Sequence, residues 1–297
     1  MDPLVVLFGL GVGLLVGLTG IGGGSLMTPL LIIVAGYSPL VAIGTDLAYG
    51  AVTKTVGGYR VFKQGLVDLR LSMWLAAGSV PGSLVGVWAV DRLNHRYGEE
   101  EFQPALLAAV AVALLLVAAG VLFRAFFMPR HVAQERETAD LSGRRRLATV
   151  SIGFVLGFIL GLTSVGSGAL IGLALILFFK LSPHRVVGTD VFHAAVLLWT
   201  AGIAHWVGGN VDFALMGTIL LGSLPGVWIG TGLLGRVPVD GLRPALGVVL
   251  FAAALGVLSK AGVDMPLAVL VGLPLCVGIG AYALHRSRIA DKAPVLT

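Results

Sequence analysis

The sequence predicts an all-helical integral membrane protein built as an inverted repeat of two halves. Three observations carry this: a charge-poor composition, apolar runs of membrane-crossing length, and an internal repeat whose matching loops differ in charge. Of 297 residues, 57% are hydrophobic and 12% charged, with a mean hydropathy of +0.97; soluble domains carry about 25% charged residues. Runs such as 71–90, 104–123, 213–235 and 244–259 contain almost no charge and are about as long as a crossing of the roughly 30 Å bilayer core requires. The formal charge of +5 falls in the short gaps between these runs, which is the pattern of cytoplasmic membrane loops and not of a nucleic-acid surface. The single cysteine, Cys276, excludes an internal disulfide or cysteine metal cluster, and its apolar surroundings predict buried packing. The start Met1-Asp2-Pro3-Leu4 lacks the basic region and cleavage site of a signal peptide, so the first apolar run is expected to stay in the membrane.

The repeat appears at a constant offset of 144. Gly17-Leu18-Thr19-Gly20-Ile21-Gly22-Gly23-Gly24 lies over Gly161-Leu162-Thr163-Ser164-Val165-Gly166-Ser167-Gly168, and Ser38-Pro39 over Ser182-Pro183. Gly44-Thr45-Asp46 matches Gly188-Thr189-Asp190, Val67-Asp68 matches Val211-Asp212, and Pro81-Gly82 matches Pro225-Gly226. Roughly a third of positions from 17 to 86 are identical without a gap, which points to duplication. The expected layout is a first repeat over 1–128, a basic loop over 129–147, a second repeat over 148–260, and an extra helix with its tail over 261–297.

Each half opens with an apolar run, 4–35 and 148–180, interrupted by its glycine-rich string. Glycine resists continuous helix, so each run reads as a re-entrant hairpin or broken helix. Plain crossing segments follow near 39–60, 68–90 and 104–127, then near 183–206, 212–234 and 241–259. A last one, near 265–285, has no counterpart. Ser38-Pro39 and Ser182-Pro183 read as helix starts, with serine as cap and proline at the first helical position. Pro81-Gly82 and Pro225-Gly226 should kink their helices.

Lysine and arginine are retained on the cytoplasmic side. The loop holding Arg124, Arg130, Arg136 and Arg144-Arg145-Arg146, and the tail with Arg286, Arg288 and Lys292, are therefore expected inside. Both placements hold only if 148–180 returns to the face it entered. The loop 60–70, with Arg60, Lys63 and Arg70, then falls inside and the turn 36–38 outside. Matching loops have opposite charge, so the halves face opposite ways, with the N-terminus outside and the C-terminus cytoplasmic. Loop 91–103 fits least well, being placed outside despite Arg92 and Arg96.

Inverted repeats place substrate near the midplane at discontinuous helices. The candidate binding residues are Thr19, Gly22, Gly23, Gly24 and Ser25 in the first string, and Thr163, Ser164, Gly166, Ser167 and Gly168 in the second. A half-helix starting after each string would aim free N–H groups and a positive dipole end at the tip, which favours an anion. The plainer alternative is that these glycines only let helices approach closely. Asp46 and Asp190 lie about two turns inside their helices, where a carboxylate is costly and needs a partner or a cavity. They read as proton carriers, as cation ligands, or as carboxylates that tie down a hairpin. His193, three residues after Asp190, shares its helix face and could complete a proton relay. Lys54, eight residues after Asp46, could pair with it or attract an anion, but snorkelling to the membrane edge is the blander expectation. His205-Trp206 sits at a predicted outer boundary. No metal-ligand spacing, phosphate loop or nucleophile motif is present, so no cofactor is expected and an intramembrane enzyme has little support.

In the order and spacing of the duplicated strings, the two Gly-Thr-Asp triplets and the Pro-Gly pairs, nearly the whole chain resembles the TauE/SafE family, the sulfite exporter or TSUP family of permeases. The resemblance implies passage of sulfite, sulfoacetate or another organosulfonate across the bacterial cytoplasmic membrane. The second string departs from the first at Ser164 and Ser167, and His193 replaces Tyr49, so substrate identity stays open. The expected partners are a small anion and the lipid bilayer, not nucleic acid; a homo-oligomer is compatible with the sequence. Transport could be proton-coupled or that of a passive anion channel.

Overall fold

The computed structural model describes residues 3–21, 23–127, 137–233 and 242–290. Among them the fold is all-helical: α1 (Pro3–Thr19), α2 (Gly24–Ile33), α3 (Pro39–Lys63), α4 (Leu69–Tyr97), α5 (Glu99–Phe127), α6 (Arg144–Thr163), α7 (Leu170–Leu177), α8 (Pro183–Val207), α9 (Phe213–Leu233), α10 (Leu242–Lys260) and α11 (Leu267–Ala290). Five helices, within α4, α5, α6, α8 and α9, are each long and apolar enough to cross a membrane. Helix α3 is 25 residues long but carries Asp46 and Lys54 in its middle.

Both glycine strings break their runs, at 20–23 and 164–169. The arms are unequal: 17 and 10 residues in the first half, 20 and 8 in the second. Helix α6 starts at Arg144, inside the expected basic loop, after Gly143 adopts a φ of 46°. The loop expected over 91–103 is reduced to Gly98, whose φ of 80° separates α4 from α5. Polar residues extend both helices past their apolar spans, and Glu99, Glu100 and Glu101 suit the positive end of α5. Proline begins both α3 and α8 as expected, but Ser38 and Ser182 cap through their carbonyls, which accept from Ala42 and Val186; neither hydroxyl caps.

The most extensive interfaces join the two halves: α1 lies on α9, α4 on α6, α3 on α8 and α5 on α10. At the offset of 144 the first two are each other's counterparts, and the last two join counterpart helices. Four glycine ladders make the first two possible. A methyl at Gly9, Gly13 or Gly17 of α1, or at Gly222, Gly226 or Gly230 of α9, would run into the opposite helix's backbone; Gly78, Gly82 and Gly86 of α4 and Gly153, Gly157 and Gly161 of α6 repeat the arrangement. Small residues every fourth position let backbones meet, which is how helices adhere where lipid removes the hydrophobic drive. The glycines of the two Pro-Gly pairs, Gly82 and Gly226, are rungs of these ladders.

Cys276 is exposed on α11, contrary to the expected buried packing. An apolar helix in lipid has no need to turn its apolar side chains inward, so an apolar run does not imply protein interior. Trp88 and Trp228 likewise face outward.

Candidate functional site

The two strings meet each other in the core. A methyl on Gly24 would collide with the Ser164 carbonyl, and one on Gly168 with the Gly20 carbonyl. These contacts are counterparts, since 24 matches 168 and 20 matches 164, so the strings lie antiparallel, backbone on backbone. Left-handed φ values at Gly20, Gly23, Gly166 and Gly168, and at Ser164, make the reversals possible. Gly22 lies outside the described residues, as do Arg130, Arg136 and Lys292.

Thr19 and Thr163 shape the strings locally. Thr19 Oγ1 donates to the Leu15 carbonyl (2.7 Å) and accepts from the Ile21 N–H (3.0 Å); Thr163 Oγ1 donates to Ile159 (2.7 Å) and accepts from Val165 (3.1 Å). Both hydroxyls are thereby committed to ending a helix. Ser25 and Ser167 are buried and their hydroxyls have no partner among the described residues. Gly23 is buried too, yet among the described residues other than its chain neighbours no atom lies within 4 Å of where its Cβ would be. The first string thus holds an open position and, two residues on, an unpaired hydroxyl.

The carboxylates close the two ends of this crossing. Asp46 Oδ2 accepts from Thr28 Oγ1 of α2 (2.6 Å) and from Ser164 Oγ of the opposite string (2.5 Å), leaving Oδ1 unpaired. Tyr49 is turned toward Asp46 but its hydroxyl lies outside hydrogen-bond geometry. Asp190 Oδ1 accepts from the Gly168 N–H (3.2 Å), and its other oxygen lies beside Gly20. The N–H expected to meet a substrate anion thus holds a carboxylate of the protein itself. His193 shares a hydrogen bond with Ser79 Oγ of α4 (3.1 Å), not with Asp190. His205, expected at an interface, is buried and bonds the Gly161 carbonyl (3.1 Å).

Lys54 departs most from expectation. It does not snorkel: it is 1% exposed and its Nζ has no hydrogen-bond partner among the described residues. Asp190, Asp46 and His193 all lie within its electrostatic reach. The sequence signal was present, since Lys54 has apolar Leu198 as counterpart and so breaks the repeat inside its apolar stretch.

The Gly-Thr-Asp threonines have a structural role. Thr45 Oγ1 accepts from the Asp212 N–H (3.0 Å) and Thr189 Oγ1 from the Asp68 N–H (2.9 Å), each across the halves. Asp68 and Asp212 in turn cap α4 and α9 through the N–H groups of Leu71 and Leu215.

Residues 5–257 match the family described as "Sulfite exporter TauE/SafE". The chain belongs to the TauE/SafE family. It is therefore a multi-pass membrane transporter and not an enzyme. It is 38% identical over 257 residues to the probable membrane transporter protein YjnA of Bacillus subtilis, covering 86% of this chain and 99% of that one. Two further B. subtilis proteins, the probable membrane transporter proteins YunE and YdhB, are 27% and 26% identical, covering 76% and 82% of this chain and 85% and 94% of theirs. No solved structure matches.

Proposed function

We propose that this TauE/SafE transporter moves a small sulfur-containing anion, such as sulfite, sulfoacetate or another organosulfonate, across the bacterial cytoplasmic membrane. The observation that carries this reading is the antiparallel crossing of the two strings, each of which holds a buried serine, Ser25 or Ser167, whose hydroxyl has no partner among the described residues. The substrate binds beside the crossing of the strings, with Gly23 and Gly166 next to it and Gly24 and Gly168 holding the strings together; Gly22 is the remaining candidate, outside the described residues. Thr19, Thr163 and Ser164 hold the strings in shape. Proton coupling runs through Asp46, Asp190 and His193, because a cluster with two carboxylates takes up an anion at less electrostatic cost when one of them is protonated.

The architecture that serves this function is an inverted repeat of two broken-helix hairpins and seven crossings, with the N-terminus outside and the C-terminus cytoplasmic. The mirrored interfaces and cross-half Thr–Asp bonds support it. One face ties together three segments expected inside: Arg185 donates to Glu137 and to the Val67 carbonyl, and the Ala139 N–H donates to Asp68. On the face expected outside, Lys260 Nζ donates to the Ile32 carbonyl (2.7 Å).

Purified protein in liposomes should carry sulfite or a sulfonate faster than sulfate or small carboxylates, with a rate that follows an imposed proton gradient. Flux of the sulfur anion without any response to the gradient would make it a passive channel. Failure to move any of the four would sink the reading.

A further inference from the structure

Lys54 is the feature of the core that neither packing nor the repeat accounts for. Its neighbour Thr55 accepts a hydrogen bond from Trp199 Nε1 (2.9 Å), and these two residues are themselves counterparts. A contact between counterparts marks where the pseudo-two-fold axis passes, here at the exposed side of α3 and α8, and Lys54, one residue earlier, is buried beside it. The axis would place a second cation at 198, where there is leucine. Asp46 is eight residues back along α3, about 12 Å of helix, and Asp190 is equally far from position 198 on α8.

An ammonium carries three donors, and burying one without hydrogen bonds is costly. The groups around Lys54 do not satisfy it. Asp46 on α3 and Asp190 and His193 on α8 lie within its electrostatic reach, but none of them hydrogen-bonds it: Asp46 Oδ2 is taken by Thr28 and Ser164, Asp190 Oδ1 by Gly168 and His193 Nε2 by Ser79, while Asp46 Oδ1 and His193 Nδ1 are themselves unpaired among the described residues. Arg124 of α5 lies within the reach of Asp190 as well. Both carboxylates lie within electrostatic reach of the lysine, yet its Nζ has no hydrogen-bond partner among the described residues. The unpaired hydroxyls of Ser25 and Ser167 belong to the same core.

We infer that Lys54 is the charge-selecting residue of the transport site: its ammonium binds one oxygen of a compact oxyanion head. This deepens the transport reading and rests on it. Without Lys54 an anion entering the crossing would face two carboxylates and no cation from α3 or α8. Arginine is the natural residue for planar two-point recognition, whereas a compact point charge suits a pyramidal or tetrahedral sulfur head.

The test uses sulfite as probe and the full-length protein in liposomes. Lys54→Met keeps the length of the side chain and removes the charge; it should raise the sulfite concentration for half-maximal flux at least about tenfold, the loss expected for a charged hydrogen bond. Lys54→Arg, which keeps the charge, should recover part of that loss. Because Lys54→Met leaves two carboxylates unbalanced and can unfold, Lys54→Met is also combined with Asp190→Asn, which restores the charge balance. If the lysine selects the anion, the combined variant is folded and monodisperse but needs at least about tenfold more sulfite for half-maximal flux than Asp190→Asn alone. A folded combined variant with the half-saturation of Asp190→Asn alone would overturn the inference while leaving the transport reading intact. A parent protein that moves neither sulfite nor a sulfonate would sink both.

Discussion

The Asp46 end and the Asp190 end of the core come from one duplicated design, and they are held in different ways. At the Asp46 end two hydroxyls, from Thr28 and Ser164, reach one carboxylate oxygen. Their counterparts at the Asp190 end are Gly172 and Gly20, which have no hydroxyl, and there a backbone N–H takes over. One turn further along the helices, Tyr49 stands against His193, and then Lys54 against Leu198. What joins the halves is kept in duplicate: the Thr45–Asp212 and Thr189–Asp68 bonds, the serines at 79 and 223, the four glycine ladders. The carboxylates at 46 and 190 are kept in duplicate as well, and what has diverged is their surroundings: Tyr49 against His193 and Lys54 against Leu198.

The largest effect should come from breaking the crossing that both ends share. Gly24→Ala and Gly168→Ala each push a methyl into the opposite string's backbone, at about 1–3 kcal/mol for overpacking. Gly168 has a φ of 101° besides, which adds about 1–3 kcal/mol of strain for a residue with a side chain. Thermal unfolding in detergent should therefore rank Gly168→Ala below Gly24→Ala, and both far below Gly217→Ala, where a methyl meets nothing. Equal melting of all three would mean that the strings are not in contact.

The next comparison sets the ends against each other directly. Asp46→Ala and Asp190→Ala remove the same volume and the same charge near Lys54, so those contributions largely cancel. The remainder is the number of buried donors left unpaired, two hydroxyls at 46 against one N–H at 190. Asp46→Ala should be the more destabilising by about 1–3 kcal/mol, the cost of one further unsatisfied group. The reverse order in an unfolding experiment would show that the N–H at Gly168 holds more than the two hydroxyls do.

Much of this frame was legible in the chain because it is local chemistry. The repeat, the breaks at the strings, and the helix starts at Pro39 and Pro183 follow from glycine, proline and spacing alone. The four-residue glycine ladders were equally visible, at 9-13-17, 78-82-86, 153-157-161 and 222-226-230, and mark α1, α9, α4 and α6 as tightly packed. The partners of the buried groups were not legible, since Asp46 meets Ser164 across 118 positions and Thr45 meets Asp212 across 167. Nor could the chain say that Thr19 and Thr163 are used up in ending helices while Ser25 and Ser167 stay free. Lys54 was misjudged because the charge rule describes where lysines are retained during insertion, and a lysine among carboxylates in a core is outside its scope.

The smallest expected effect lies where one half has a contact that the other lacks. The described part of the basic loop reaches back over the face of the molecule: Glu137 accepts from Arg185 Nε of α8 (2.9 Å), and two residues later the Ala139 N–H donates to Asp68 (2.8 Å). The Arg185 hydrogen bond, helped by the charge of the same guanidinium, holds the Glu137 carboxyl below the usual glutamate range. A carboxyl held low in the folded protein contributes stability above its unfolded titration range, and that contribution disappears as the pH falls through the folded value. Glu137 is 73% exposed, so solvent screens the pair and the contribution is small and salt-sensitive. Glu137→Gln should therefore melt slightly below the parent at neutral pH and low salt, and the two curves should converge as the pH is lowered past the ordinary glutamate range or as salt is raised. Transport should be unaffected, because Ala139 and Asp68 still hold the segment when the ion pair is gone. A difference that widened on acidification would mean that the neutral carboxyl, and not the ion pair with Arg185, is what secures this face.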